Sequence, residues 1–290
     1  MATTNTKKGT ELATVETFTI ANRYEGMDPE LLAELQDQMD DLDDEAGIAC
    51  RMVKIPAGGG LAYEVQGDEE DEVDYKKEIT GVIVFTHRLN GYWPETFGSG
   101  DGEDKIPVCS SMDGKTGLNR ETGEVRHCES CPFNQFGSGT DNKGAAARGK
   151  ACKNMRRLYM MLDGDPNFYL LSVPPTSIKE VNRRLAKIMG SKGIPYTGLI
   201  VSLKLEKATN AGGIAYSKVV IEKKGLLPPA ASAAAQEMRR QIKAKYQDLA
   251  ITLDDYAAAP APTDVQAGAA APADFVEVDT ADDPDDLPFK

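Results

Sequence analysis

The chain has 290 residues, 41% of them apolar, and a formal net charge of −13 at pH 7, enough for one large domain or two modest ones with a real core. No run of 18 apolar residues occurs and the opening MATTNTKKGTELATVETF lacks an apolar signal core, so the expectation is a soluble, cytoplasmic chain with no membrane partner. The charge is uneven: residues 1–47 carry 12 acids against 3 bases, residues 252–290 carry 10 against 1, and Lys105 to Ala250 carries 24 bases against 12 acids. A basic body between two acidic ends points to a polyanionic partner for the body and to solvated ends.

Residues 1–26 read as loosely ordered. In MDPELLAELQDQMDDLDDEAG, Asp28 is placed to cap a helix with Pro29 in its first turn, and Leu31, Leu32, Leu35, Met39 and Leu42 share one face. GIACRMVKIP, LAYEV and EITGVIVFTHRL are β-branched or alternating and bounded by Gly or Pro, which predicts three strands. QGDEEDEVDYKK between them reads as a solvated acidic loop, and Cys50 as a small core residue.

RRLYMMLDGDPNFYLLSVP predicts two strands around an Asp-Gly-Asp-Pro-Asn turn. PTSIKEVNRRLAKIMGSKG is a helix, capped by Thr176 or Ser177, with Ile178, Val181, Leu185 and Ile188 as its buried stripe and Gly190 near its end. TGLIVSLKLEKATNAGGIAYSKVVIEKKG is a long hairpin, and PPAASAAAQEMRRQIKAKYQDLA a basic, Ala-rich helix. After Leu253 an Ala/Pro linker begins that cannot build a core. These elements predict an α+β, mainly β fold: an OB-like antiparallel barrel over residues 27–251 with peripheral helices, an insert at about 105–155, and a disordered linker and acidic tail over 252–290.

Cys109, Cys128, Cys131 and Cys152 are spaced C-x18-C-x2-C-x20-C inside that insert. The Cys128–Cys131 pair has the spacing that lets two thiolates bind one ion from a tight turn, and four thiolates close a structural zinc site with no open position for catalysis. Metal binding supplies on the order of 10 kcal/mol to order such polar segments. An iron–sulfur cluster accepts the same ligand set. His127 adjoins Cys128 and reads as a group supporting the ligands rather than as one of them.

Bases and rings interleave around the cysteines: Arg88, Tyr92, Trp93 and Phe97 before them, Phe133 and Phe136 among them, and Arg148, Lys150, Lys153, Arg156, Arg157 and Tyr159 at and beyond Cys152. That combination suits single-stranded nucleic acid, where cations track phosphates and each stacked base contributes roughly 1–3 kcal/mol. Duplex-reading motifs are missing from the sequence, as are G-x-S-x-G and G-x4-G-K-[ST], so a non-enzymatic binder is expected. The alternatives are a zinc-containing transcription or replication accessory protein that binds duplex DNA or proteins, and a metal-dependent nuclease.

The chain ends in DDPDDLPFK. Asp282, Asp283, Asp285, Asp286, Leu287, Pro288 and Phe289 resemble the C-terminal tip of bacterial single-stranded DNA-binding proteins, in which aspartates precede an Ile/Leu-Pro-Phe ending behind a flexible linker. With a metal-binding insert added, the layout looks more like divergent phage-encoded single-strand binders. The resemblance implies an OB-fold that binds single-stranded DNA and a tip that docks replication, recombination and repair proteins. Lys290 departs from the pattern, because it moves the free carboxylate one residue beyond the aromatic ring.

Overall fold

The computed structural model describes residues 13–41, 50–67, 69, 72–94, 106–140, 146, 147, 149–210, 213, 215–247, 251 and 255. In chain order it contains helix α1 (Pro29–Asp41) and strands β1 (Cys50–Lys54), β2 (Tyr63–Gln66), β3 (Val73–Lys76) and β4 (Glu78–Tyr92). The insert contributes β5 (Cys109–Ser111), β6 (Thr116–Asn119), β7 (Val125–His127), β8 (Gly139–Thr140) and β9 (Ala146–Ala147). Then follow β10 (Lys153–Leu162), β11 (Phe168–Val173), α2 (Pro175–Lys192), β12 (Leu199–Thr209), β13 (Ala215–Leu226) and α3 (Pro229–Lys245).

Eleven strands form one mixed sheet in the order β3-β2-β1-β11-β10-β4-β5-β6-β7, with β12 also on β4 and β13 on β12, while β8 and β9 pair separately. The 15-residue β4 is the spine: its first part pairs with β12 from Val82↔Ile200 to Glu78↔Lys204, its far end pairs with β5 from Asn90↔Ser111 to Tyr92↔Cys109, and β10 runs along its other side. Val82 to Phe85 are all buried because both faces of the sheet are covered there. One face packs Ile83, Leu158, Leu171, Val201 and Ile221 under Val181 and Leu185 of α2. The other packs Val84, Phe85, Tyr159 and Met161 under Ala231, Ala235 and Ile242 of α3. A Cβ on Gly81 would collide with the Met161 carbonyl, so glycine is what lets β4 run flush against β10.

The predicted strands and helices are present, but two features of the predicted barrel are not. β1 runs parallel to β11, from Cys50↔Phe168 to Val53↔Leu171, so the sheet is mixed rather than antiparallel. It also does not close. The outer strand β13 meets the β1–β2 turn through the Ser217 hydroxyl, which donates to the carbonyls of Pro56 (2.9 Å) and Gly60 (2.8 Å), with no strand ladder between them.

Four local differences have clear causes. Part of the acidic loop is β3, paired with β2 from Tyr63↔Lys76 to Gln66↔Val73. Within the expected loose N-terminus, Thr14 bridges to Leu226, and Phe18 is buried beside Val84 and Ala231. Beyond residue 251, Asp255 is buried, so the packed body reaches past the expected boundary. Helix α2 begins at Pro174–Pro175 without a side-chain cap; Ser177 is buried and accepts the Val219 amide instead (2.9 Å), and Gly193, at φ 66°, ends the helix. In α1, Asp28 does cap, accepting the amides of Glu30 (2.9 Å) and Leu31 (3.3 Å), while Leu31 stays exposed. No helix among the described residues is long and apolar enough to cross a membrane.

Candidate metal centre and nucleic-acid face

The insert is built from tight turns whose side chains organise their own backbone. In the β5–β6 turn Asp113 accepts the amides of Lys115 (2.7 Å) and Thr116 (2.9 Å) and the Ser111 hydroxyl (2.9 Å). Burial alone would raise Asp113; those bonds outweigh it and hold the carboxyl below its usual range. The Cys128–Cys131 turn is tied by Asn134, whose amide side chain donates to the Cys128 carbonyl (2.7 Å), and by Gln135, which donates to the carbonyls of Glu129 (2.8 Å) and Cys131 (3.2 Å). The Cys152 amide donates to the Phe133 carbonyl (2.8 Å), drawing the last cysteine to the same place.

As a result Cys109, Cys128, Cys131 and Cys152 all line one cavity of about 40 Å³, together with Tyr92 and Arg126. All four are free thiols, Cys128 buried and the others half-buried. A methyl group added at Gly117 would stand 3.1 Å from the Cys109 sulfur and 3.6 Å from that of Cys128, so glycine there leaves both sulfurs room to point inward. Burial first, and then the charge of the neighbouring cysteines, raises Cys109 and pushes Cys152 up to about 12. Among the described residues no three His, Cys, Asp or Glu side chains are gathered to metal-holding distance. The shared cavity is the firmer indicator, because thiol rotamers re-aim without backbone movement. Four thiols are the donor set of a tetrahedral thiolate site, and Arg126 lines the same cavity. His127 is exposed and does not line the cavity.

The cavity stands at one end of a polar stripe on the β4–β10 pair. Arg88 faces Arg156 and Asn90 faces Asn154 in direct register, the asparagine side chains joined at 2.7 Å. Tyr92 then stacks on Phe133 with centroids 4.3 Å apart and planes at 18°. At the tip Phe136 is 82% exposed, with the Lys150 ammonium 5.1 Å over its ring and donating to Asn134 (3.2 Å). Arg88, Tyr92, Phe133, Phe136, Lys150 and Arg156 are therefore brought together around the cavity and its stripe. Lys153 is half-buried at the same end, and burial lowers its ammonium.

Three other predicted contacts are interior. Arg157 is buried and bonded to Asp255, and Tyr159 is buried between Phe85 and His87, with centroids 5.7 and 5.8 Å away. Trp93 packs against Leu89, Met155 and Ile251 on the opposite side of the sheet from the stripe. Neighbouring residues on a strand face opposite ways, so a stripe that takes Arg156 cannot take Arg157. Phe97, Arg148 and the tail residues Asp282, Asp283, Asp285, Asp286, Leu287, Pro288 and Phe289 lie outside the described residues. Sequence reasoning missed Arg126, whose position two residues before Cys128 was the available signal, and Arg239 and Tyr196, which α3 and the turn ahead of β12 bring near β4.

Comparison with family models, with curated proteins and with solved structures finds no match.

Proposed function

We propose that the protein binds single-stranded DNA with little sequence preference, as a non-enzymatic coat in replication, recombination or repair. One zinc ion held by Cys109, Cys128, Cys131 and Cys152 orders the insert that carries the stacking rings. The observation that carries this reading is the stripe itself: two cross-strand arginines, an asparagine pair and a Tyr92–Phe133 stack in line, ending at the four thiols and the exposed Phe136. Cations spaced along a strand serve a phosphate backbone, and open rings serve bases of any identity. In this reading the open, mixed sheet takes the place of a closed OB barrel. The acidic segment from Asp282 to Phe289 recruits partner proteins or competes with DNA for the basic face.

The test is a titration of fluorescent dT oligomers, matching RNA and matching duplex at several salt concentrations. Binding is expected to be strongest to the single strand and to weaken steeply with salt. Equal affinity for the duplex, or none for the single strand, sinks the proposal. One observation favours a second reading, a zinc-ordered accessory module that binds proteins. Leu118 and Val125 face each other across β6–β7 and are 51% and 63% exposed.

A further inference from the structure

Arg88 and Arg156 stand directly opposite each other on β4 and β10. Like charges in that relation destabilise a sheet unless something negative lies between them. Arg156 donates through Nη1 to the Thr86 hydroxyl at 3.1 Å, but its Nε is buried with no hydrogen-bond partner. A third guanidinium approaches from α3: Arg239 donates to the Tyr196 hydroxyl and lies 5.3 Å from the centroid of that ring and 5.4 Å from that of Phe85. The Tyr196 hydroxyl that Arg239 bonds also feels the charge of Arg156, so both guanidiniums lie within electrostatic reach of it.

The place is set by the fold. β12 leaves the edge of β4 at Val82 and β5 joins it only at Asn90, and the turn Tyr196–Gly198 packs into the gap. Arg126, Arg157, Arg183, Arg184 and Arg240 each have a carboxylate partner. Among the described residues, none pairs with Arg88, Arg156 or Arg239.

We propose that Arg88, Arg156 and Arg239, with the hydroxyls of Thr86 and Tyr196, form a phosphate-oxyanion site that takes a backbone phosphodiester of the bound single strand. The inference rests on the single-strand reading above and adds to it the point where the phosphate backbone is gripped. Guanidinium forks match phosphate oxygens two at a time, and a phosphate here supplies the acceptor that Arg156 Nε lacks. A strand held here follows the stripe to the Tyr92–Phe133 stack, four residues along β4 and roughly 14 Å away.

Two variants test it in the full chain. Arg88→Gln is the clean one, because the Arg88 side chain is exposed and forms no ion pair among the described residues; Arg239→Gln is the second. With fluorescent dT oligomers, each lost contact lowers the slope of log affinity against log salt by about 0.7 and weakens binding about fivefold at 0.1 M, with the curves converging toward 1 M. Arg88→Gln keeps or raises the melting temperature of the free protein while it weakens binding, a split that a merely structural arginine does not show. If wild type binds dT and both variants keep its affinity and slope, the phosphate site is overturned and the single-strand reading stands. If wild type binds no single strand, that reading fails, and inorganic pyrophosphate decides the site. A pyrophosphate-induced rise in wild-type melting temperature that Arg88→Gln loses assigns the site to a free anion; no rise in wild type overturns it.

Discussion

Arg157 and Asp255 form a buried, two-pronged ion pair, Nε to Oδ1 at 2.8 Å and Nη2 to Oδ2 at 2.5 Å, with side chains only 2% and 1% exposed. The Ser172 hydroxyl adds a third bond to Asp255 Oδ1 at 2.6 Å. On its other side Arg157 bonds the Tyr159 hydroxyl, which donates to His87 Nε2 at 3.3 Å. His87 Nδ1 donates to the carbonyls of Arg88 (3.0 Å) and Met112 (2.9 Å). One polar chain thus runs through the body from the segment after α3 to the β5–β6 turn of the insert.

Breaking that chain at its charged end leaves a guanidinium buried without its counter-charge. Asp255→Ala is expected to cost about 3–5 kcal/mol in urea denaturation, and the apolar double replacement Arg157→Met with Asp255→Leu to recover most of it. A single-variant cost below about 1 kcal/mol refutes the structural role assigned to the pair.

The histidine end of the chain titrates. Burial chiefly, with the Arg157 charge adding to it, outweighs the bonds to Arg88 and Met112 and the charge of Asp255, and His87 lies below its usual range. A histidine whose folded pKa is depressed binds its proton more readily when unfolded. Stability is therefore full above about pH 6.5 and is lost as pH falls from there through the folded value. Melting curves between pH 8 and pH 5 should therefore show an inflection that His87→Gln removes. An unchanged inflection in that variant assigns the effect elsewhere.

The four-thiol cavity predicts one zinc per chain by elemental analysis and none after Cys128→Ser. Because metal binding is folding energy for such an insert, the variant should become protease-sensitive within residues 109–152 while the body keeps its far-ultraviolet dichroism. Full zinc content in Cys128→Ser removes Cys128 from the ligand set.

Phe136 and Trp93 separate surface chemistry from packing. Phe136→Ala should leave stability within about 0.5 kcal/mol and weaken single-strand binding by about 1–3 kcal/mol. Trp93→Ala, in the cluster with Leu89, Met155 and Ile251, should do the reverse, lowering stability with little specific effect on binding. Equal effects of the two variants on binding contradict the placement of the stripe.

The elements that could be read from sequence were those whose signal is local. The β-branched run of β4, the Val181–Leu185 stripe of α2 and the C-x2-C spacing each name their structure within a few residues. What escaped depends on distant partners. Nothing near Asp255 marks it as the mate of Arg157, 98 positions away, rather than as one more acid before a linker. The acids of QGDEEDEVDYKK concealed β3, because only pairing with β2 makes that stretch a strand. The error over Arg157 was avoidable, since period-2 alternation in KNMRRLYMML already sends Arg156 and Arg157 to opposite faces. Tyr196 and Arg239 carry no signal until the Tyr196–Gly198 turn and α3 pack on β4.

The insert leaves β4 after Tyr92 and the chain re-enters the sheet at Lys153, which sits beside Gly91 on the neighbouring strand. Its two ends are thus one strand spacing apart, about 4.8 Å, a gap that a two-residue hairpin turn spans. The cysteine module therefore hangs from a single strand crossing: exchanging residues 92–152 for Asn-Gly should join β4 to β10 directly, at the cost of the Trp93 packing and of the Met112 carbonyl that His87 bonds.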